Sequence, residues 1–527
     1  MTDRVLISHE AGSLESKRIA RQIQLDERLS SAQRNEMGQF ATPPALANDI
    51  AKAVSTLWGD GQIRFFEPAL GTGAFYSALL GNFAQGKIAS AAGVERDHQY
   101  ASVARRLWSE TGLQVTTADF MSLTSPDGDH LPNLILTNPP YVRHHHLTSS
   151  EKGQFQKLAT QISGGGVSGL SGLYTYFVFA AHRWLAEGGL AAWLIPSEFM
   201  DVNYGESLRR YFSREVSLLR IHRFDPSDVQ FADALVSSAV VIFRRQAPSY
   251  DHKLQVSHGG CVSAPRFCAS VPLTHLNTNP KWSRLFNGRS AQVHRSENPL
   301  SLLFTIKRGI ATGANDFFIL SRRELAELDI DERFVKPILP SSRLLPSDVI
   351  ESDDAGFPLV KEQLAVIDTD LPIEQLRREC VGLWRYLQAG QRKEVQKAYL
   401  LTKRSPWYRQ EQRAPSPFLC TYMGRKKDDG KTFRFFWNRS AATAANTYLL
   451  LYPTGSLKAA LTNNPQIAPR VLELLNGLGA DGFTDQGRVY GGGLFKMEPR
   501  ELGRVDATPI VDALSLSVDA QRNLIAV

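Results

Sequence analysis

Long apolar runs and paired cysteines are both missing from this chain of 527 residues. No stretch approaches the about 18 uncharged apolar residues that a membrane-spanning helix needs, and the N-terminal sequence lacks the apolar core of a signal peptide. The four cysteines, Cys261, Cys268, Cys380 and Cys420, form no CxxC pair and no metal-ligand spacing. We therefore expect a cytoplasmic protein with reduced thiols, no membrane segment and no bound metal.

The surplus positive charge of the chain lies in one segment. The net charge is +7 and the isoelectric point is about 9.1. Residues 401–440 carry ten Lys or Arg and three Asp or Glu, a local excess equal to that of the whole chain. Cations alternate there with aromatic residues, as in 404–409 (RSPWYR) and 433–439 (FRFFWNR). This interleaving favours a nucleic-acid surface, whereas a plain charge run is usually a solvated face.

Strand-like and helical patterns alternate from residue 38 to about 245, which predicts a parallel sheet with helices on both faces. The predicted strands are 63–66, 92–95, 114–118, 134–137 and 190–195, with the last strands within 234–243.

The rest of the chain divides by composition. Residues 1–37 indicate a polar amphipathic helix, 246–300 a loop-rich connecting region, and 301–527 a second domain. The Gly- and Ser-rich residues 162–172 indicate either a mobile loop or a flap over a site.

The tetrapeptide Asn138-Pro139-Pro140-Tyr141 directly follows an apolar strand. The amino group of a conjugated base is a poor nucleophile, because its lone pair is delocalised into the ring. The side-chain carbonyl of Asn138 and the backbone carbonyl of Pro139 could accept its two N–H bonds and draw the nitrogen toward a tetrahedral shape. Tyr141 offers a flat face for stacking. The pattern indicates methylation of an exocyclic amino group.

A glycine turn closes the first predicted strand, in Glu67-Pro-Ala-Leu-Gly71-Thr-Gly73. Glycines there let the backbone approach a ligand closely. Tyr76 stands where the dinucleotide fingerprint needs a third glycine, so a ligand without a pyrophosphate is favoured.

Four other residues each have two interpretations. Glu95 either accepts the ribose hydroxyls of a nucleoside or is a surface acid. Asp119, with Phe120, either binds an adenine or caps a helix. Thr42 either meets a carboxylate or is a plain N-cap, and Phe231 is either a second aromatic wall facing Tyr141 or a core residue.

The run His144-His145-His146 resembles a metal site only superficially. Consecutive side chains project in different directions, and no acid or cysteine completes a ligand set. A solvent loop or phosphate contacts are favoured.

Taken in order, these motifs resemble those of the γ-class adenine-N6 DNA methyltransferases of bacterial restriction–modification systems. The order is Thr-Pro-Pro, Glu-Pro-x-x-Gly-x-Gly, an acid, Asp, Asn-Pro-Pro-Tyr and a large C-terminal domain. The match covers roughly residues 35–245 and continues more loosely through 307–318, 334–343 and 489–499. The resemblance implies an α/β fold. A Rossmann-like, doubly wound methyltransferase sheet would span 38–245, and a mixed α/β target-recognition domain would span 301–527.

S-adenosylmethionine is the cofactor that the resemblance implies. Thr42 would meet its methionine end and Glu95 its ribose, and the expected cofactor residues are Thr42, Glu67, Gly71, Gly73, Glu95, Asp119 and Phe120. Asn138, Pro139 and Tyr141 would hold the target adenine, with Phe231 as the opposing wall.

Double-stranded DNA is the implied partner, with one adenine flipped out of the duplex. The expected DNA contacts are Lys307, Arg308, Arg404, Arg425, Lys426, Lys427, Arg434 and Arg439. Cytosine-N4 methylation, a protein- or RNA-directed methyltransferase and a non-catalytic specificity module remain as alternatives. With only 37 residues before Gly38, we expect the cognate restriction endonuclease on a separate chain.

Overall fold

The computed structural model describes two compact units, Met1–Gln292 with Tyr490–Gly492, and Val293–Val489 with Gly493–Val527. The described residues are 2–126, 130–144, 147–225, 228, 230–231, 237–278, 281–287, 296–425, 432–478, 483, 488–490 and 494–517. Across these ranges, no helix combines the length and the apolar character needed to cross a bilayer.

The strands and helices of the first unit alternate along much of its length. Its strands are β1 (Ile63–Glu67), β2 (Ile88–Glu95), β3 (Leu113–Thr117), β4 (Leu134–Thr137), β5 (Leu190–Pro196), β6 (Ser217–Arg223), β7 (Ser238–Arg244), β8 (Lys253–Gly260) and β9 (Pro265–Pro272). Its helices are α1 (Thr2–Asp26), α2 (Ser31–Met37), α3 (Pro44–Ser55), α4 (Ala74–Asn82), α5 (His98–Leu107), α6 (Ser149–Ile162), α7 (Leu173–His182), α8 (Glu206–Arg214) and α9 (Leu273–Thr278).

One mixed sheet joins these strands in the order β3-β2-β1-β4-β5-β7-β6-β8-β9. The strands from β3 to β5 are parallel, and β1 lies between β2 and β4. The chain order therefore reverses direction at β1, and a parallel sheet binds its ligands outside the carboxyl ends of the strands at such a point.

The other half of the sheet departs from the predicted parallel pattern. Strand β7 is antiparallel to both β5 and β6. The sequence pattern missed β6 altogether, because Arg220, His222 and Arg223 interrupt its apolar residues.

The expected loop-rich connection at 246–300 is wrong for 253–272, since β8 and β9 extend the same sheet. Gly259 and Gly260, two of the glycines that indicated a loop, are the last residues of β8, at φ +64° and +68°, directly before the turn 261–264. Strand β9 is at the edge of the sheet and alternates half-buried with exposed residues, so its apolar signal is weak.

The core of the first unit explains why its central strands were predictable. All residues of β4 and β5 are buried, as expected for parallel strands covered on both faces. The helix α7 is buried along its length from Leu173 to Ala181. Phe66 of β1 stacks on Trp184, with ring centroids 4.7 Å apart.

From residue 300 onward the strands are shorter and the sheets smaller. The strands are β10 (Phe304–Arg308), β11 (Ile319–Ser321), β12 (Val335–Leu339), β13 (Val349–Ile350), β14 (Leu364–Ile367), β15 (Phe418–Thr421), β16 (Met423–Arg425), β17 (Phe435–Asn438), β18 (Thr443–Ala444), β19 (Tyr448–Pro453), β20 (Arg488–Tyr490) and β21 (Leu494–Lys496). The helices are α10 (Asn315–Phe318), α11 (Arg322–Glu327), α12 (Ile373–Glu379), α13 (Val381–Arg392), α14 (Gly455–Asn463), α15 (Ala468–Asn476), α16 (Pro499–Leu502) and α17 (Thr508–Ala513).

Two larger sheets organise the second unit, in the orders β10-β19-β15-β17-β13 and β11-β14-β12-β18, and β16 pairs with β21 in a smaller sheet. The five-stranded sheet has a separate hydrophobic cluster on each face, so that neighbouring residues Phe435 and Phe436 of β17 pack into different clusters. A third cluster covers the four-stranded sheet.

Candidate functional site

A cavity of about 700 Å³ lies at the carboxyl ends of β1, β2 and β4 in the first unit. Its volume is within the range of small-molecule sites. Eight of the eleven predicted catalytic and cofactor residues line it, namely Thr42, Glu67, Gly71, Glu95, Asp119, Phe120, Asn138 and Pro139. The structure therefore brings together residues that are up to about a hundred positions apart in the chain.

The glycine turn after β1 forms one wall of this cavity. Gly71 has φ +56° and open space where a Cβ would stand, so its backbone faces the cavity. Gly73, at φ +90°, is needed for packing instead, because a Cβ there would lie 2.5 Å from Nε1 of Trp108. That nitrogen donates to the carbonyl oxygen of Thr72 at 2.9 Å and supports the turn from behind. Nothing in the sequence identified Trp108.

The carboxylate of Glu95 fixes the same turn from the cavity side. Its Oε2 accepts from the backbone N–H of Gly71 at 2.8 Å, and its Oε1 accepts from Asp97 at 2.8 Å. Burial raises its pKa, which these backbone hydrogen bonds oppose. A carboxylate has about four acceptor positions, so Glu95 can hold the turn and still accept from a ligand.

Glu67, the last residue of β1, is a buried acid with unused acceptor capacity. Its side chain is 2% exposed, and its Oε2 has no hydrogen-bond partner among the described residues. Burial raises its pKa well above the usual carboxyl value, an effect that Arg18 opposes and Glu95 increases. An unsatisfied buried acceptor costs about 1–3 kcal/mol, which a donor on a ligand would recover.

Asp119 is an N-cap, which is one of its two predicted interpretations, and it also lines the cavity. It caps the short 3-10 helix Phe120–Ser122 by accepting from the backbone N–H of Met121 at 3.0 Å. Arg96 lies 3.7 Å from its other oxygen. Phe120 is 2% exposed and packs against Phe66 with ring centroids 6.0 Å apart.

The Asn138 side chain has a defined orientation. Its Nδ2 donates to the carbonyl oxygen of Phe40 at 3.0 Å and to Oγ1 of Thr42 at 3.1 Å. A backbone carbonyl only accepts, so the amide nitrogen must face Phe40. Oδ1 is then buried without a partner among the described residues, and Asn138 is one of the residues that line the cavity. The arrangement can accept one N–H from a ligand.

Gly38 brings the segment before α3 against this turn. Its carbonyl oxygen accepts from the backbone N–H of Tyr141 at 3.0 Å. A Cβ at Gly38, whose φ is +63°, would lie 2.5 Å from the backbone nitrogen of Val142. The close approach therefore requires glycine and places Thr42 beside Asn138.

Tyr141 and Phe231 do not form the expected open slot. The Tyr141 ring is 8% exposed, its hydroxyl donates to the carbonyl oxygen of Leu194 at 3.0 Å, and it does not line the cavity. Phe231 packs perpendicular to it with centroids 6.0 Å apart, and Phe40 packs at 5.6 Å. A base between two rings needs about 7 Å, twice an optimal carbon–carbon contact. The two rings are neighbours, but in this arrangement they contact each other.

The N-terminal helix contributes to the cavity wall, which the sequence did not predict. Arg18, Gln22 and Asp26 of α1 line the cavity. Leu25 of the same helix packs with Tyr100 of α5 in a small hydrophobic cluster. In the sequence, Arg18 is one of several cations in a polar helix, and no local pattern distinguishes it.

The Gly- and Ser-rich segment 162–172 is not a flap over the cavity, because none of its residues lines it. Arg210 holds the segment by donating to the carbonyl oxygens of Ser163 and Gly166. The preceding helix α6 reaches the cavity instead, through Glu151 and Phe155.

The predicted DNA contacts in the second unit fall into two groups. Arg404 donates to the carbonyl oxygens of Ala311 and Thr312 and supports that loop. Arg434 pairs with Asp348 and donates to the carbonyl oxygen of Ser342. These two arginines therefore hold the fold of the unit together.

The other described cations are exposed. Lys307 and Arg308 end β10, Arg425 ends β16, and Arg439 pairs with Glu351 at the surface. Arg308 lies over the ring of Tyr422, 4.3 Å from its centroid. Lys426 and Lys427 lie outside the described residues, as do His145 and His146.

Most of the aromatic residues between these cations are core residues, whereas Trp407 and Trp437 are half-buried. Phe433, Phe435, Phe436 and Tyr408 are at most 6% exposed. The interpretation of the interleaved segment as one nucleic-acid surface is wrong for its aromatic half. Strand alternation, which directs successive side chains to opposite faces, produces the same spacing.

Comparison with known proteins finds similarity to methylases of restriction–modification systems. Residues 129–230 match the Eco57I restriction-modification methylase family, and residues 286–524 match the C-terminal domain of the type II methyltransferase M.Eco57I. The chain is 24% identical to the type II methyltransferase M.AccI of Acinetobacter calcoaceticus, over 90% of this chain and 86% of that one. It is 27% identical to M.XamI of Xanthomonas campestris pv. amaranthicola, over 84% and 80%.

These matches identify a restriction–modification DNA methyltransferase with domains of the Eco57I type. The prediction of a restriction–modification methyltransferase is thereby confirmed. The fold of this methylase is also similar to that of the Type IIL restriction-modification enzyme MmeI, solved in complex with DNA. That likeness has a TM-score of 0.52 at 14% identity, over 81% of this chain and 64% of that one.

Proposed function

We propose that this methylase transfers a methyl group from S-adenosylmethionine to N6 of an adenine flipped out of duplex DNA. The observation that carries the proposal is the buried, unpartnered Oδ1 of Asn138 at the cavity wall. Its two neighbours hold the amide so that only an acceptor is presented. An amino group is the ligand that such an acceptor selects.

The residues around the glycine turn fit the cofactor. A cavity of about 700 Å³ can contain a nucleoside with an amino-acid tail. The half-buried Glu95 offers acceptors for ribose hydroxyls, and the unpartnered Oε2 of Glu67 offers one for an ammonium group. For the adenine, Asp119 offers an acceptor for the amino group and Phe120 offers a ring for packing. When bound, the cofactor would supply a methyl group on a cationic sulfur.

Catalysis by this chain would consist of positioning and polarisation. Asn138 Oδ1 would accept one N–H of the target amine, and the carbonyl oxygen of Pro139 would accept the other. These two hydrogen bonds would leave the nitrogen lone pair free to face the methyl donor. The amino group would react while neutral, so no general base is needed before transfer, and the proton that the methylated nitrogen must then lose would pass to solvent. Fixed acceptors in a water-poor cavity stabilise the positive charge that develops on the nitrogen.

DNA as the substrate rests on the family and on the second unit. The structure of MmeI, the neighbour of similar fold, contains DNA. Exposed Lys307, Arg308 and Arg425 supply cations for phosphate or base contacts. By the same reasoning the methylation would protect the recognised sequence from a cognate endonuclease on another chain.

The deciding experiment is nucleoside analysis. Duplex DNA is methylated by the purified protein with deuterium-labelled S-adenosylmethionine, digested, and examined by mass spectrometry. We expect label in N6-methyladenine with the wild type and, at matched enzyme concentration and time, at least about 100-fold less with Asn138→Ala. Label in N4-methylcytosine would identify the alternative amine, and label in neither nucleoside would reject DNA amine methylation.

A further inference from the structure

The helix α1 places a buried cation in the wall of the cavity. Arg18 is 2% exposed and lines the cavity. Its Nε and Nη2 donate to the carboxylate of Glu15 at 2.7 and 2.6 Å, and its Nη1 donates to Oγ1 of Thr72 at 3.1 Å. Thr72 is the central residue of the glycine turn, so the guanidinium is held beside that turn.

The guanidinium retains capacity for another acceptor. Arginine has five N–H donors, and the bonds to Glu15 and Thr72 use three of them within the described residues. Thr72 is in turn held by Gln22, whose Oε1 accepts from its hydroxyl at 2.7 Å. The arginine is thus oriented from two sides before any ligand arrives.

The charge balance of the cavity makes this cation unusual. Among the described lining residues, seven carry carboxyl groups and two carry guanidinium groups, Arg18 and Arg96. Arg96 is largely exposed and lies beside Asp119, whereas Arg18 is buried and close enough to Glu67 to lower that residue's pKa. A ligand carboxylate entering the buried end of this cavity needs a cation there.

We propose that Arg18 binds the carboxylate of the amino-acid end of the cofactor, and that α1 is therefore a wall of the cofactor site. Glu15 acts as a positioning residue by holding the guanidinium in a bidentate pair. The inference rests on the proposed use of S-adenosylmethionine. The amino-acid end of that cofactor is a zwitterion. Arg18 would face its carboxylate, and the unpartnered Oε2 of Glu67 would accept from its ammonium group.

Two ligands separate this role from a structural one. S-adenosylhomocysteine keeps the carboxylate, and 5′-methylthioadenosine lacks the whole amino-acid end. Calorimetric titration of the full chain should show that Arg18→Gln weakens S-adenosylhomocysteine binding about 10- to 100-fold, as expected for a lost charge-assisted hydrogen bond. Binding of 5′-methylthioadenosine should stay within about twofold of the wild type, which also shows that the pocket is intact.

A matched control lies one turn further along the same helix. Arg21 is exposed and donates to Gln24, so Arg21→Gln should change neither affinity. Arg18→Lys should recover part of the S-adenosylhomocysteine affinity, because it keeps the charge but loses the bidentate fork.

Equal weakening of both ligands by Arg18→Gln would overturn the proposal, because it would show that Arg18 acts only by docking α1. Unchanged binding of S-adenosylhomocysteine would overturn it as well. If the wild type binds neither ligand, the proposed cofactor fails, and the role of Arg18 fails with it. If instead the wild type binds both ligands and Arg18→Gln binds them equally well, only the role of Arg18 is rejected and the proposed cofactor stands.

Discussion

The side-chain nitrogen of Asn138 lies 3.1 Å from the hydroxyl oxygen of Thr42, a residue 96 positions earlier in the chain. This contact and the bond to the carbonyl oxygen of Phe40 join the end of β4 to the segment before α3. The acceptor that would polarise a target amine is therefore oriented by the segment predicted to meet the methionine end of the cofactor.

Removing the acceptor should abolish transfer and leave cofactor binding largely intact. For Asn138→Ala we expect a fall in kcat of about 10²–10³-fold or more, as for loss of one preorganised polar group in an active site. Thr42→Val is the matched variant, because it removes one partner of the amide nitrogen and leaves Phe40; we expect about a tenfold loss. Single-turnover methylation measures both. A wild-type rate in Asn138→Ala would place the chemistry elsewhere.

Glu67 should make stability depend on pH. Because burial raises its pKa above the ordinary 4.5, folding binds a proton that the unfolded chain has released. Stability from this group is complete below that value and is lost as the pH rises through the raised pKa. Glu67→Gln has no titrating group at this position. Its free energy of unfolding should therefore rise relative to that of the wild type as the pH increases. Denaturant titrations from about pH 4 to 8 test this, and a constant difference would contradict it.

Gly73 should tolerate no side chain. At φ +90°, with Trp108 2.5 Å from a Cβ position, Gly73→Ala should cost more than about 1 kcal/mol of unfolding free energy. Gly59→Ala is the control, since nothing lies within 4 Å of its Cβ position. Thermal unfolding of the two variants compares them, and equal melting temperatures would show that the turn can shift.

The two groups of cations in the second unit should respond differently to neutralisation. Arg308→Ala should weaken DNA binding and reduce the salt-dependence slope by about one if the residue contacts a phosphate, without lowering stability. Arg434→Ala should lower the melting temperature, since it removes the ion pair with Asp348 and the bond to Ser342. Fluorescence anisotropy over a salt series and thermal unfolding distinguish them. A lower melting temperature for Arg308→Ala would assign it a structural role.

Much of the first unit was predictable because its signals are local. The central strands are continuous apolar runs buried on both faces, and β4 has the predicted bounds. The strand β8 and the edge strand β9 were missed because about half of their residues are exposed or only half-buried. The aromatic residues around Phe435 were misinterpreted because alternation in a strand buried on both faces looks the same in sequence as a stacking surface.

By itself, the sequence indicated a restriction–modification methyltransferase, the central strands and the motifs at their carboxyl ends, because each of these depends on residues that are close together in the chain. Only the tertiary structure decided which atoms those motifs present. Oδ1 of Asn138 has no partner because Phe40 and Thr42 bind the amide nitrogen instead, and Arg18 reaches the glycine turn because α1 packs beside α5. Such contacts join distant segments, and their energies depend on burial and distance that no local pattern records.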